Sequence, residues 1–162
     1  MLYPKLVGSG VLSKDADERI KMLMSKMSSP MGAYTANSKG HIFVREKVAE
    51  YIRKRDGDQF FADPQNIFMT NGASEGVKLS FKMLIREQRD GIMVPIPQYP
   101  LYSAQLTLEG GTMVKYYLDE DKNWGVDVED IQRRIKNAKD LGINLRAMVI
   151  INPGNPTGNV MS

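Results

Sequence analysis

The sequence contains no cysteine and only one histidine, His41, among its 162 residues. The lack of cysteine excludes a disulfide framework and a thiolate metal site, and a single histidine excludes a histidine-rich metal cluster. No apolar run approaches the roughly 20 residues that cross a bilayer, and residues 1–13 lack the continuous apolar stretch of a signal peptide. These absences predict an intracellular protein without a membrane partner. We expect it in the cytoplasm, with the mitochondrion as the alternative.

The chain also lacks a large excess of charge of either sign, since it contains 22 basic and 19 acidic residues. The basic residues at 53–55 and 133–136 lie in helix-like segments with acidic residues interleaved. Such interleaving is typical of a solvated helix face, so we expect no nucleic-acid partner. Hydrophobic residues make up 42% of the chain and charged residues 25%, a balance typical of a globular domain with a core.

Hydrophobic periodicity divides the chain into alternating helices and strands. It predicts helices at residues 14–27, 44–57, 73–86, 99–109 and 127–141, and strands at Asn66–Thr70, 91–95, 112–118 and 145–151. Gly57 is predicted to end the second helix and Asp127 to cap the fifth. The last strand is so apolar that we expect it to be buried. Strands that alternate with helices predict an α/β fold with a mostly parallel sheet.

In such sheets ligands bind beyond the carboxyl ends of the strands. Three segments follow predicted strands directly, at residues 71–76, 95–102 and 152–158. We therefore expect the functional residues within them.

The first of these segments suits a phosphate. Gly72 permits a tight turn and leaves room for a ligand, Ser74 adds a hydroxyl, and the free amides of the following helix point outward. The segment is not a Walker loop, because Lys78 does not follow the glycine directly. Nor do Gly8 and Gly10 complete a dinucleotide fingerprint, because Ser13 occupies the position of the third glycine. A plain turn with a helix cap remains the alternative.

The second and third segments are stiffened by proline. Pro95–Tyr102 can hold the ring of Tyr99 flat against a ligand ring, although a rigid connection or a P-x-x-P ligand would use the same residues. Asn152–Gly158 contains two Asn-Pro steps, where a cis peptide bond is tolerated. An asparagine amide aimed into a cleft there can donate a hydrogen bond to an anionic oxygen while it stays uncharged.

Several strings together resemble the fold-type-I aminotransferases, and the alanine aminotransferases in particular. They are Arg55-Asp56-Gly57, Asp63-Pro64, Asn66-Ile67, Gly72-Ala73-Ser74, Val94–Ser103, Tyr116–Glu120 and Ile150–Gly158. The resemblance covers residues 33–162. It implies a three-layer αβα large domain that is present in part, with residues 41–162 as its amino-terminal portion and residues 1–40 as the approach to it.

The resemblance also implies a cofactor, pyridoxal 5'-phosphate, and a set of residues that bind it. Gly72, Ala73 and Ser74 would bind the phosphate, Tyr99 would stack on the pyridine ring, and Asn155 would hydrogen-bond the ring hydroxyl oxygen. Tyr34 would reach the phosphate of the neighbouring subunit in a homodimer. The implied substrates are an amino acid and a 2-oxo acid, with the amino group moving from alanine to 2-oxoglutarate.

A family member also needs a lysine that forms an imine with the cofactor, downstream of the segment Ile150–Gly158. No lysine in this sequence matches that motif, so we name no catalytic residue. We expect the 162 residues to be part of a transaminase, inactive by themselves, with an unpaired sheet edge that favours association. The alternatives are a lyase or decarboxylase on the same scaffold, and a short non-catalytic protein that binds the cofactor or a partner.

Overall fold

The computed structural model describes residues 4–27, 38–57 and 61–161. The chain forms two compact units, Met1–Met69 and Thr70–Ser162. The first unit contains 3-10 helices at Pro4–Leu6 and Pro64–Asn66 and the helices α1 (Lys14–Lys26) and α2 (Ile42–Asp56). The second contains α3 (Ala73–Leu84), β1 (Asp90–Ile96), α4 (Leu101–Leu108), β2 (Thr112–Asp119), β3 (Gly125–Val126), α5 (Val128–Asp140) and β4 (Asn144–Met148). The division at residue 40 that the resemblance implies stays a prediction.

Local signals set the ends of two helices as predicted. Gly57 ends α2 in the left-handed conformation with a φ of 74°, and its amide donates to the Arg53 carbonyl. The Asp127 carboxylate caps α5 by accepting from the amides of Glu129 and Asp130. Both devices satisfy backbone groups that the helix itself leaves free. Among the described residues, no helix has both the length and the apolar character that crossing a bilayer requires.

The sheet of the second unit has the strand order β3-β2-β1-β4. β1 pairs in parallel with β2 on one side and with β4 on the other, and β3 pairs antiparallel with β2. Parallel crossovers are right-handed in nearly all proteins, and these two cross the sheet in opposite directions, from β1 to β2 and from β2 past β1 to β4. The crossover helices α4 and α5 therefore cover opposite faces of the sheet. The predicted α/β fold is confirmed, while the two-residue strand β3 is too short for a hydrophobic period to show.

The core of this unit lies between β1 and the helices α3 and α4. Its buried members are Phe81, Ile85, Ile92, Val94 and Leu106. Each large side chain that becomes fully buried contributes about 1.5–3 kcal/mol relative to an exposed one. This cluster fixes α3 and α4 against the first strand.

The strand predicted at Asn66–Thr70 is wrong. Asn66 ends the 3-10 helix that begins at Pro64, and Ile67 is extended with φ −100° and ψ 126°. The Met69 amide donates to the Lys39 carbonyl at 2.9 Å. The apolar residues thus adopt an extended backbone, but within the described ranges no neighbouring strand pairs with them. Hydrophobicity indicates an extended segment, whereas a strand also needs a partner.

The strand predicted at 145–151 is shorter than expected, and it is not buried. β4 covers Asn144–Met148, and its residues are half-buried or exposed. In the described part of the chain β4 has β1 as its partner and an open second edge. One further backbone bond, from the Val149 amide to the Met93 carbonyl at 2.8 Å, continues the pairing beyond Met148.

Candidate functional site

The amino end of α3 is open to a ligand. Gly72 precedes the helix with a φ of +82°, and a Cβ placed on it would meet nothing within 4 Å. The Thr70 hydroxyl donates to the Gly72 carbonyl at 2.9 Å and steadies the turn. No side chain of the described residues caps the helix, and Ser74 is exposed in its first turn. The first amides of the helix are therefore free for an anion, with the positive end of the helix dipole behind them.

The segment after β1 presents an aromatic ring. β1 ends at Ile96, the Ile96-Pro97 bond is cis, and the side chain of Tyr99 is 50% exposed. The helix predicted to begin at Tyr99 begins at Leu101 instead, after Pro100 at the capping position. A proline there is compatible with a helix start, because its missing amide has no intrahelical partner in any case.

The same segment carries a buried acceptor. The side-chain oxygen Oε1 of Gln98 is buried, and no donor among the described residues reaches it. Leaving such an oxygen without a partner costs about 1–3 kcal/mol. Buried polar groups without partners are rare in folded proteins and call for an explanation, and a ligand that donates a hydrogen bond is one.

The segment after β4 contains two cis bonds, Asn152-Pro153 and Asn155-Pro156, both at steps where a following proline makes a cis bond tolerable. Asn155 is exposed, and its amide has no hydrogen-bond partner within the described ranges. Asn152, by contrast, bonds the Met161 backbone, accepting at 3.0 Å and donating at 3.4 Å. The segment is closed on itself and leaves the Asn155 amide free.

Topology brings two of these three segments to the same end of the sheet. β1 and β4 are parallel neighbours, so their carboxyl ends lie side by side, where open α/β sheets bind ligands. The segments that carry Tyr99 and Asn155 leave the sheet at these neighbouring ends. α3 leads into the beginning of β1, and we expect it to run antiparallel to that strand, which over its length of roughly 18 Å would bring Gly72 and Ser74 to the same end.

Tyr34 lies outside the described residues, so its predicted contact with a neighbouring subunit stays a prediction.

Sequence reasoning assigned no role to Tyr116, which is fully buried on β2. Its hydroxyl donates to the Val149 carbonyl at 2.7 Å, and burial raises the pKa of the phenol to about 12. The alternation of β2 offered a signal, because Lys115 and Tyr117 on either side are exposed. The bond holds the backbone just before the Asn155 segment.

The cavities in the described part of the chain are not lined by the predicted cofactor-binding residues. One, of about 340 Å³, lies between β2 and α5 beside Tyr117 and Arg134, and it contains none of the predicted site residues. Arg134 stacks over the Tyr117 ring at 5.2 Å and donates to Asp130 at 3.2 Å. Burial raises the pKa of Asp130, but hydrogen bonds from Arg133, the Tyr117 amide and Arg134 outweigh it, and the pKa is lowered. The groove is held together by its own ion pairs.

Comparison with known proteins gives one consistent family. The family model described as aminotransferase class I and II matches residues 7–162. A glutamate–glyoxylate aminotransferase 2 of Arabidopsis thaliana is 51% identical over 152 residues, which are 94% of this chain. A mitochondrial alanine aminotransferase 1 of the same plant is 46% identical over 154 residues, again 94% of this chain. An alanine aminotransferase structure from Pyrococcus furiosus aligns over 91% of the chain at 25% identity, with a TM-score of 0.70.

The chain spans only part of each of these proteins. It covers 31% of the glutamate–glyoxylate aminotransferase, 28% of the plant alanine aminotransferase and 34% of the Pyrococcus chain. The resemblance to alanine aminotransferases is confirmed, and the similarity extends to a protein named as a glutamate–glyoxylate aminotransferase.

Proposed function

Because the chain belongs to the class I and II aminotransferases, we propose that it forms part of the cofactor site of a transaminase that uses pyridoxal 5'-phosphate. The observation that carries the proposal is that Tyr99 and Asn155 follow the neighbouring carboxyl ends of β1 and β4, and we expect the free amides of α3 at the same end. Three groups are free to bind a ligand: the uncapped amides of α3, the half-exposed ring of Tyr99 and the amide of Asn155. One phosphorylated pyridine could contact all three, through its phosphate, its ring and its ring oxygen.

The residues present fit the cofactor group by group. The phosphate suits the first amides of α3 and the Ser74 hydroxyl, where Gly72 leaves open space. The ring suits the face of Tyr99, since aromatic rings attract when they stack with an offset. Asn155 can donate to the ring hydroxyl oxygen, and the buried Gln98 Oε1 is left for a hydrogen-bond donor.

The bound cofactor supplies electron withdrawal from an amino acid joined to it, and the protein positions and tunes it. In this chain the amino end of α3 anchors one end of the ligand by charge–dipole attraction. Tyr99 fixes the plane of the ring and excludes water from one face. Asn155 stabilises negative charge on the ring oxygen without adding a charge of its own.

We propose alanine and 2-oxoglutarate as the substrate pair of the whole protein. The 51% identity to a glutamate–glyoxylate aminotransferase favours glutamate and glyoxylate as a second pair. The family match favours amino transfer over the lyase or decarboxylase alternative. A homodimer in which Tyr34 reaches across to the partner subunit's cofactor belongs to the same proposal. So does a cytoplasmic location, with the mitochondrion as the alternative because three relatives are named as mitochondrial.

Binding of pyridoxamine 5'-phosphate to the 162-residue chain tests the cofactor site. This probe has no aldehyde, so it cannot form imines with surface lysines and reports the non-covalent site alone. We expect weak binding in calorimetry, reduced about 5–10-fold by each of Ser74→Ala, Tyr99→Ala and Asn155→Ala, one hydrogen bond or one stack each.

Matched controls are Ser80→Ala on the same helix α3, Tyr51→Ala on the exposed face of α2, and Asn137→Ala on α5. Equal losses in the site variants and the controls would overturn the assignment. With pyridoxal 5'-phosphate itself we expect no saturating adduct on a single lysine, and mass spectrometry of the borohydride-reduced sample would detect one.

A chimera tests the transferase activity. The chain replaces the matching segment of the plant alanine aminotransferase, and transfer from alanine to 2-oxoglutarate is compared with transfer from glutamate to glyoxylate. Retained activity that falls at least tenfold in Tyr99→Ala supports the proposal. A folded chimera without activity on either pair contradicts it.

A further inference from the structure

Asn159 occupies the centre of the segment 152–161, although no motif of the sequence singles it out. It is 7% exposed, in contrast to the exposed Asn155. Its Nδ2 donates to the Trp124 carbonyl at 2.9 Å, and its Oδ1 accepts from the Thr157 hydroxyl. Both ends of the amide are therefore used, and they connect two separate parts of the chain.

Backbone bonds close the segment around this side chain. The Gly154 amide donates to the Asn159 carbonyl and the Gly158 amide to the Gly154 carbonyl, each at 2.8 Å. A Cβ on Gly154 would lie 2.2 Å from the Asn159 Oδ1 and 2.3 Å from the Thr157 Oγ1, so the packing admits only glycine. Asn155 lies between Gly154 and Thr157, both of which touch Asn159. Asn159 therefore fixes the backbone on both sides of Asn155.

The anchor on the other side is a turn with an unusual backbone. Asn123 and Trp124 have φ values of 54° and 59°, a conformation that costs a residue other than glycine roughly 1–2 kcal/mol. The Trp124 amide bonds the Asp119 carbonyl at 2.7 Å, so the turn is held to the end of β2. The bond from Asn159 fixes the Trp124 carbonyl as well. The loop is thereby tied to the sheet through β2 in addition to β4.

We propose that Asn159 is a positioning residue that holds Asn155 in register with the ring oxygen of the cofactor. The inference rests on the proposed function of Asn155. A hydrogen bond weakens steeply outside about 2.7–3.2 Å, so a loop that drifts by about 1 Å loses the contact. Asn159 touches no cofactor atom in this assignment and acts through Gly154 and Thr157.

A double-mutant cycle on the 162-residue chain tests the coupling, with pyridoxamine 5'-phosphate as the probe. Asn159→Asp keeps the shape but removes the donor to Trp124. Thr157→Val is the second variant, because it removes the other bond without burying a charge. We expect each to weaken binding about 5–10-fold, as Asn155→Ala does, and to add less than twofold when combined with Asn155→Ala.

The ring hydroxyl of the bound probe gives a readout that a general loss of stability would not move. A donor to the ring oxygen favours its ionised form, so its pKa, followed by absorbance against pH, should rise in Asn155→Ala. It should rise equally in Asn159→Asp and in Thr157→Val. The control Asn137→Asp, on α5, should leave it unchanged.

Trp124 is the only tryptophan and reports the link without any ligand. We expect Asn159→Asp to shift its emission as the turn relaxes. If the unsubstituted chain binds no probe, the proposed function and this inference fall together. If it binds, but the losses multiply in the double variants or the ring pKa moves in Asn155→Ala alone, only the inference is overturned. An unchanged Trp124 emission in Asn159→Asp also overturns it.

Discussion

The hydroxyl of Tyr116 on β2 donates to the main-chain carbonyl of Val149, beyond the end of β4, at 2.7 Å. The bond passes β1, where Pro95 lies in register with Tyr116. One side chain thus joins the two strands on either side of the central strand, at the end of the sheet where the candidate site lies.

Replacing Tyr116 by phenylalanine should destabilise the second unit. The change leaves the carbonyl of the half-buried Val149 with one partner fewer, and we expect a loss of about 1–2 kcal/mol in the free energy of unfolding. Urea denaturation followed by circular dichroism measures it. Tyr117→Phe is the matched control, because Tyr117 is a half-exposed neighbour on the same strand and should change stability little. Equal effects would contradict the importance of the Tyr116 bond.

The same tyrosine should make stability fall in strong alkali. Burial raises its pKa from 10.0 in the unfolded chain to about 12 in the fold. The contribution is complete below pH 10 and is lost as the pH rises towards 12, because the unfolded chain releases the proton first. The stability difference between the parent and Tyr116→Phe should therefore shrink over this range. Urea midpoints at stepped pH measure it, and a constant difference would argue against the shift.

Asp90 should cause part of the loss of folding stability at low pH. This buried carboxylate accepts from the Arg86 amide at 3.0 Å and the Arg86 Nε at 3.1 Å, and Arg146 lies 3.4 Å away. The bond from the Arg86 side chain is the main reason that its pKa is lowered below 3.8. The stabilisation by the Asp90 carboxylate is therefore present above the pKa of the unfolded state and is lost as the pH falls through the pKa of the folded state.

We therefore expect Asp90→Asn to be less stable at neutral pH and to lose less stability on acidification than the parent. Thermal melts from about pH 7 down to about pH 2 measure both effects. Asp140→Asn, at the exposed end of α5, is the control and should follow the parent curve. If Asp90→Asn lost as much stability on acidification as the parent, the pH dependence would come from other groups.

Two glycine substitutions should change the free energy of unfolding in opposite directions. Gly154→Ala drives its Cβ into Asn159 and Thr157 and should cost about 1–3 kcal/mol, or displace the loop. Gly76→Ala lies inside α3, where the Cβ would meet the Thr70 Oγ1 at an ordinary 3.7 Å. It should stabilise by about 0.5–1 kcal/mol, because alanine favours a helix. Denaturation midpoints compare the pair, and destabilisation by both would mean that α3 is also tightly packed at Gly76.

The open edge of β4 should make the chain associate. Ile150, two residues beyond the end of the strand, is 62% exposed. An unpaired edge with apolar residues favours pairing with another strand, and a lysine there opposes it. We expect concentration-dependent association in sedimentation velocity and less of it in Ile150→Lys. Leu108→Lys, equally apolar at the end of α4, is the control away from the edge. A monodisperse monomer at all concentrations would contradict the expectation.

The sequence by itself determined what depends on neighbours along the chain. Gly57 and Asp127 mark helix ends because their own backbone or side chain completes the cap, and β1 and α5 follow from their hydrophobic periods. The order of strand and turn predicted the segments that carry Tyr99 and Asn155, whereas the segment that carries Ser74 was predicted to follow a strand at Asn66–Thr70 that does not form. The roles of these residues stay predictions.

Tertiary structure decided what depends on residues far apart in the chain. The segment 67–70 has a strand's composition but pairs with no strand among the described residues, and β4, predicted to be buried, lies at the edge of the sheet. Tyr116 meets Val149 across 33 positions, and Asn159 meets Trp124 across 35. No periodicity encodes such contacts. They exist because packing the sheet brings distant backbone carbonyls within reach of buried donors.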